Sequence, residues 1–128
     1  MIDELYEMIG GNGVVTAAIE GFYRRVLADE NLRHFFASTD MAKLRAGQSM
    51  FISMLLGGRV VYTGRDIGEA HKRLHGLTDA HFNAFLGHFR AALDEVGVKP
   101  ENAEKVLQLL EGKRRTVLNN HSRGAGGN

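Results

Sequence analysis

The chain has 128 residues, 44% of them apolar, with 16 basic and 15 acidic side chains and a net charge of +1. That size and apolar content predict one compact domain, and the balanced charge argues against nucleic acid or a membrane surface as partner. Cysteine is absent, which excludes disulfides, thiolate metal sites, iron–sulfur clusters and thioether attachment of a cofactor.

Glycines punctuate the chain at Gly10-Gly11, Gly57-Gly58 and Gly64, and no segment sustains strand alternation, so the expected class is all-α. The periodicity predicts a short helix from about Ile2 to Met8 and a second from about Val14 to Ala28, with Ile19, Phe22, Tyr23 and Val26 on one side. A tight turn through Asn31 to Phe36 follows. Thr39 or Asp40 is expected to cap a third helix, Met41 to Leu56, whose stripe is Leu44, Gln48, Phe51 and Leu55. Beyond a Gly-rich loop a short helix is expected from about Ile67 to His75. Thr78 or Asp79 starts a long helix that Gly97 stops. Pro100 suits the first turn of a last helix, with Val106, Leu109 and Leu110 inward and an end near Asn119. The expected domain is residues 1–120, and residues 121–128 read as a disordered tail. No apolar run could span a bilayer. Met1-Ile2-Asp3-Glu4 is unlike a secretory signal, so the expected location is cytoplasmic.

Three polar residues lie on otherwise apolar faces, where an unpartnered polar group costs roughly 1–3 kcal/mol. His71 shares a face with Ile67 and Leu74. It reads either as a core histidine bonded to a backbone carbonyl or as a metal ligand whose second ring nitrogen donates to an acceptor. Gln48, between Leu44 and Phe51, reads either as a buried amide bonded to another helix or as a donor aimed at a polar ligand. Tyr23 reads either as an ordinary core tyrosine or as a partner of Gln48 over a small bound molecule. His75 lies one turn beyond His71, but no Glu follows His71 as in a His-Glu-x-x-His zinc site, and no third ligand is evident. His34, His81, His88 and His121 read as surface or boundary residues.

Taken in order, several segments resemble the truncated haemoglobins, group I in particular, from about Leu5 to Asn119. They are Leu5-Tyr6-Glu7-Met8-Ile9-Gly10-Gly11, Phe22-Tyr23-Arg24-Arg25-Val26-Leu27, His34-Phe35-Phe36 with Asp40-Met41-Ala42-Lys43, Leu55-Leu56-Gly57-Gly58, Tyr62-Thr63-Gly64-Arg65, and Glu69-Ala70-His71. The resemblance implies a shortened globin fold, a two-over-two helical sandwich around non-covalent haem b. It implies His71 as the proximal iron ligand, Tyr23 and Gln48 as donors to iron-bound dioxygen, and Phe36, Leu44, Phe51, Ile67, Leu74, Phe82 and Phe85 as the slot lining.

The sequence also departs from the family. Gly47 stands where some members carry a second axial histidine, so a five-coordinate iron is expected. Lys113 stands where some carry a haem-attaching histidine. Gly47 also replaces a basic residue that often pairs with a haem propionate, leaving Arg45, Lys72 or Arg73 as substitutes. Ile52 replaces a phenylalanine proposed to gate a tunnel.

The function implied is reversible dioxygen binding that supports nitric oxide dioxygenation, the conversion of nitric oxide and bound dioxygen to nitrate. No flavin or nicotinamide motif is present, so an enzymatic role needs an external reductase. Dioxygen, nitric oxide and carbon monoxide are the expected ligands, and the expected state is a monomer or weak dimer. The alternatives are a haem redox or ligand sensor, an electron-transfer protein, and a haem-free helical module.

Overall fold

The computed structural model describes residues 3–58 and 76–118, with side chains from Leu5 onward. Helix α1 covers Asp3–Ile9 and α2 covers Gly11–Ala28. A 3-10 turn, Arg33–Phe36, leads into α3, Met41–Leu55. Helix α4 covers Asp79–Glu95 and α5 covers Pro100–Glu111. A further helical turn occupies residues 114–118. The described residues contain no strand. The expected helix from Ile67 to His75 and the tail 121–128 lie outside the described residues.

The starts of the helices follow their caps. Asp40 accepts from the Lys43 backbone N–H at 3.2 Å and opens α3. Thr78 opens α4 with a capping box in which His81 holds the position usually taken by Glu or Gln: the His81 N–H donates to Thr78 Oγ1, and the Thr78 N–H donates to His81 Nδ1 at 3.1 Å. Helix α2 begins at Gly11, three residues earlier than its apolar periodicity predicts. The N–H groups of a helix's first turn have no intrahelical acceptor in any case, so Gly11 and Gly13 are tolerated there. Gly10 makes the sharp reversal from α1 at φ 118°, where a β-carbon would overlap the Val14 side chain.

The last helix departs from expectation. It ends at Glu111 and restarts as a separate turn over residues 114–118. Lys113 N–H bonds back to Leu110 O, tightening the chain at the break. Leu109 was expected inward but is 38% exposed. The buried stripe runs through Ala103 and Val106 to half-buried Leu110, and Leu109 lies about 100° around the helix from Leu110.

Packing gives the architecture its layers. Helix α2 packs against both α3 and α4, α4 packs against α5, and α1 closes on α2 and α5. One pair, α2 and α3, therefore stacks through α2 on the other, α4 and α5, as the two-over-two expectation requires. The core runs through the stack from Val15, Ile19 and Val26 to Phe89, Leu93 and Val106. Its edges carry polar ties. Arg24 and Arg25 of α2 both reach Glu95 at the end of α4, at 2.7 and 2.8 Å. Asp29, just after α2, meets His88 Nε2 at 2.8 Å. No helix among the described residues is long and apolar enough to cross a membrane.

Candidate functional site

Tyr23 sits in the fourth turn of α2, on the face that Ile19 and Val26 bury, and is itself 5% exposed. Its ring is held edge-on by Phe22 (centroids 4.7 Å apart) and by Phe36 from the 3-10 turn (5.9 Å). Phe22 in turn meets Phe85 and Phe89 of α4 at 6.1 and 5.6 Å, and Phe36 meets Phe85 at 6.4 Å. Three elements thus contribute to one aromatic cage. Such tilted and edge-on contacts match the ring quadrupoles and hold each ring in one orientation.

The cage determines the chemistry of the hydroxyl. Burial raises the Tyr23 pKa far above the ordinary tyrosine value, an effect that the Arg45 guanidinium on α3 opposes only in part. The group therefore stays an O–H donor at every physiological pH. No hydrogen bond joins its Oη to another described residue, Gln48 included; the expected meeting of these two side chains is over a bound molecule. The arrangement is one of a protonated donor held by apolar rings.

Helix α3, which packs against α2, carries the other expected residues. Phe51 is buried, while Leu44 and Gln48 are half-buried, each one turn from its neighbour on a single stripe. Leu44 packs against the core cluster, as does half-buried Phe85. Phe82 is buried in the same cluster, with its ring beneath the Arg114 guanidinium. The structure therefore links Tyr23, Phe36 and Phe85 through ring contacts, packs Leu44, Phe51 and Phe82 with the same core cluster, and leaves Gln48 half-buried on α3. Ile67, His71 and Leu74 lie outside the described residues. Among the described residues no group of three or more His, Asp or Glu side chains could hold a metal ion. Arg45 lines an open groove of about 290 Å³ between α2 and α3, together with Thr16, Ile19, Glu20 and Ser49.

Sequence reasoning placed Phe22 on the helix face but missed its part in the site. It is the hub of the cage, touching Tyr23, Phe85 and Phe89. The available signal was its adjacency to Tyr23 on an otherwise apolar face. The roles of His81 as a cap and His88 as the partner of Asp29 were also missed, although both residues sit at the boundary as expected.

Comparison with known proteins agrees with this geometry. Residues 4–119 match the family of bacterial-like globins. The group 1 truncated haemoglobin of Synechocystis is 44% identical over 121 residues, covering 90% of this chain and 97% of that one. The group 1 truncated haemoglobin of Tetrahymena pyriformis is 39% identical, covering 89% of this chain and 93% of that one. The crystal structure of the Tetrahymena pyriformis protein in its Fe(III) form superposes with a TM-score of 0.83 at 38% identity, covering 88% of this chain and 96% of that chain. The 2/2 haemoglobin of Synechococcus, with cyanomet and covalently attached haem, gives the same TM-score of 0.83 at 38% identity, over 90% of this chain and 98% of that chain. The chain belongs to the bacterial-like globin family, among its group 1 truncated haemoglobins. Membership implies a haem cofactor and a gas ligand such as dioxygen.

Proposed function

We propose that this globin binds non-covalent haem b through His71, binds dioxygen reversibly at the haem iron, and converts nitric oxide and dioxygen to nitrate when a reductase partner supplies electrons. The observation that carries the reading is Tyr23, a fully protonated donor enclosed by Phe22 and Phe36.

The residues present fit the cofactor. Haem, when bound, supplies an iron atom with a position open to dioxygen and the one-electron chemistry that nitric oxide oxidation needs. His71, as a neutral imidazole, would hold the iron through one ring nitrogen, leaving its other N–H free to donate to an acceptor. Tyr23 Oη–H would be the main donor to the gas ligand, and the Gln48 amide the second. In a low-dielectric slot such donors interact more strongly with a polarised ligand than they would in water. Phe36, Leu44, Phe51, Ile67, Leu74, Phe82 and Phe85 exclude water and keep the ligand from exchanging its partners for solvent.

Gly47 carries no side chain to compete for the open iron position, which favours gas binding over electron transfer by a six-coordinate iron. Lys113 in place of a haem-attaching histidine favours non-covalent retention, in contrast to the Synechococcus relative. One nitric oxide, one dioxygen and one electron make one nitrate. The sequence contains no flavin or nicotinamide fingerprint, so that electron comes from another protein. The proposed molecule is a cytoplasmic monomer or weak dimer, with residues 1–120 as its domain.

The test is dioxygen release from the reconstituted ferrous protein. A donor to a charged or strongly polarised group contributes about 1.5–3 kcal/mol. Tyr23→Phe is therefore expected to accelerate release roughly 10- to 100-fold, with haem content unaltered. An unchanged rate would place the donor elsewhere. Nitric oxide added to the dioxygen complex is expected to give nitrate in equal amount, and its failure to do so would limit the function to binding.

A further inference from the structure

Arg114 carries the densest polar network among the described residues. It opens the turn over residues 114–118, and its side chain is 18% exposed. Its Nε and Nη2 donate to the Glu111 carboxylate at 2.6 and 3.0 Å, engaging both oxygens. Its Nη1 donates to Asp79 Oδ1 at 2.9 Å and to the Asp79 carbonyl at 3.4 Å, and Nη2 reaches Asn83 Oδ1 at 2.5 Å. All three guanidinium nitrogens are engaged at once, which fixes the plane of the group as well as its position. Asp79, Phe82 and Asn83 share one face of α4 by their i, i+3 and i, i+4 spacing. The guanidinium, held at both flanks, lies over the ring between them, its Cζ 4.6 Å from the Phe82 centroid.

We infer that Arg114 is a positioning residue for the cofactor slot, holding the Phe82 ring in the slot wall from behind. This rests on the proposed placement of Phe82 in that wall. Phe82 takes no part in the ring contacts of the cage, so no aromatic partner among the described residues sets its tilt. The guanidinium covers one face of the ring and leaves the other to the interior. Glu111 and Asp79 also hold the guanidinium proton more tightly than usual, so the cation persists at any working pH. Lysine would not substitute. Its ammonium is a point charge without a plane, and it has no fork to bridge Glu111, Asp79 and Asn83 together.

The test is the rate of haem transfer from the holoprotein to excess apomyoglobin, measured in a double-mutant cycle. A cation over an aromatic face is worth about 0.5–2 kcal/mol, so Arg114→Gln is expected to speed haem loss ~5-fold. In a Phe82→Leu background the same substitution is expected to add nothing, because it acts through the ring. Glu111→Gln leaves the cation over Phe82 and is expected to change the rate less than ~2-fold, even where it lowers the unfolding temperature. Arg114→Lys is expected to behave like Arg114→Gln and serves if the glutamine variant fails to fold. In the proton NMR spectrum of the cyanide-bound ferric protein, the ratio of the two haem orientations is expected to shift with Arg114→Gln and not with Glu111→Gln.

Equal acceleration with and without the Phe82 ring would overturn the inference and make Arg114 a purely structural clamp. An unchanged rate in Arg114→Gln, with Phe82→Leu still accelerating loss, would overturn the role of Arg114 alone. Wild-type retention in Phe82→Leu would remove Phe82 from the wall and the inference with it.

Discussion

The aromatic cage and the polar rim are built on opposite principles. In the cage, Phe22, Tyr23, Phe36 and Phe85 touch edge to face, and the one polar atom they enclose, Tyr23 Oη, has no hydrogen-bond partner among the described residues. On the rim, every tie is polar and at least partly solvated: Arg24 and Arg25 pair with Glu95, Asp29 shares a hydrogen bond with His88, and Arg114 pairs with Glu111 and Asp79. The cage holds its members by packing and leaves a donor available. The rim uses up its donors and carries little of the stability, since exposed ion pairs contribute about 0–1 kcal/mol. A binding site needs the first arrangement, because a donor already paired has nothing to offer a ligand.

The two regions are expected to fail differently. The largest effect is His71→Ala, which leaves the cage intact and removes the proposed iron ligand. Stable haem uptake is expected to be lost, and added imidazole to restore it. A normal visible spectrum in that variant would show that the cage alone retains the cofactor. Next is Phe22→Ala, which removes the hub of the cage. Loss of a large core aromatic typically costs about 3–5 kcal/mol, although half-burial of Phe22 puts the expectation toward the lower end. Chemical denaturation of the apoprotein measures it.

Titration separates the regions further. Asp29, Glu95 and Glu111 are held below the ordinary carboxylate range, chiefly by hydrogen bonds from His88, Arg25 and Arg114 respectively. The unfolded chain takes up those protons first on acidification. The rim's contribution is therefore present at neutral pH and is lost as pH falls through the ordinary carboxylate range and below it. Tyr23 has the opposite sign. Its folded pKa is raised by burial above the ordinary tyrosine value, so the unfolded chain loses that proton first and stability falls as pH rises above about 10. Unfolding free energies against pH are expected to show an acid limb that Glu95→Gln weakens and an alkaline limb that Tyr23→Phe weakens. If Tyr23→Phe left the alkaline limb unchanged, the Tyr23 hydroxyl would not be as desolvated as the cage requires. The smallest effect is on the rim at neutral pH. Glu95→Gln is expected to leave the denaturation midpoint at neutral pH nearly unchanged, and a clear loss would mean that the tie of α2 to α4 matters more than its exposure implies.

Much of this molecule is legible in one dimension. Asp40 and Thr78 sit where caps must sit, Pro100 opens the last helix, and Gly97, at φ 88°, follows the end of α4. The inward face of α2 follows from 3.6-residue spacing, whereas α3 buries Phe51 of its expected stripe together with Ile52 and Ser53 beside it, and the ordered segments from Leu5 to His71 carry the family resemblance. These features depend on neighbours within a few residues, and such neighbours are adjacent in sequence. Phe22 became the hub only because α2 crosses α4 where Phe85 and Phe89 present their rings. Leu109 turned outward because Ala103, Val106 and Leu110 set the buried stripe. Arg114 gained Asp79, Asn83 and Phe82 from 31 to 35 positions away. Helical period determines which side of a cylinder a residue occupies. Which residues meet across two cylinders depends on their crossing, and the tertiary structure alone decides that.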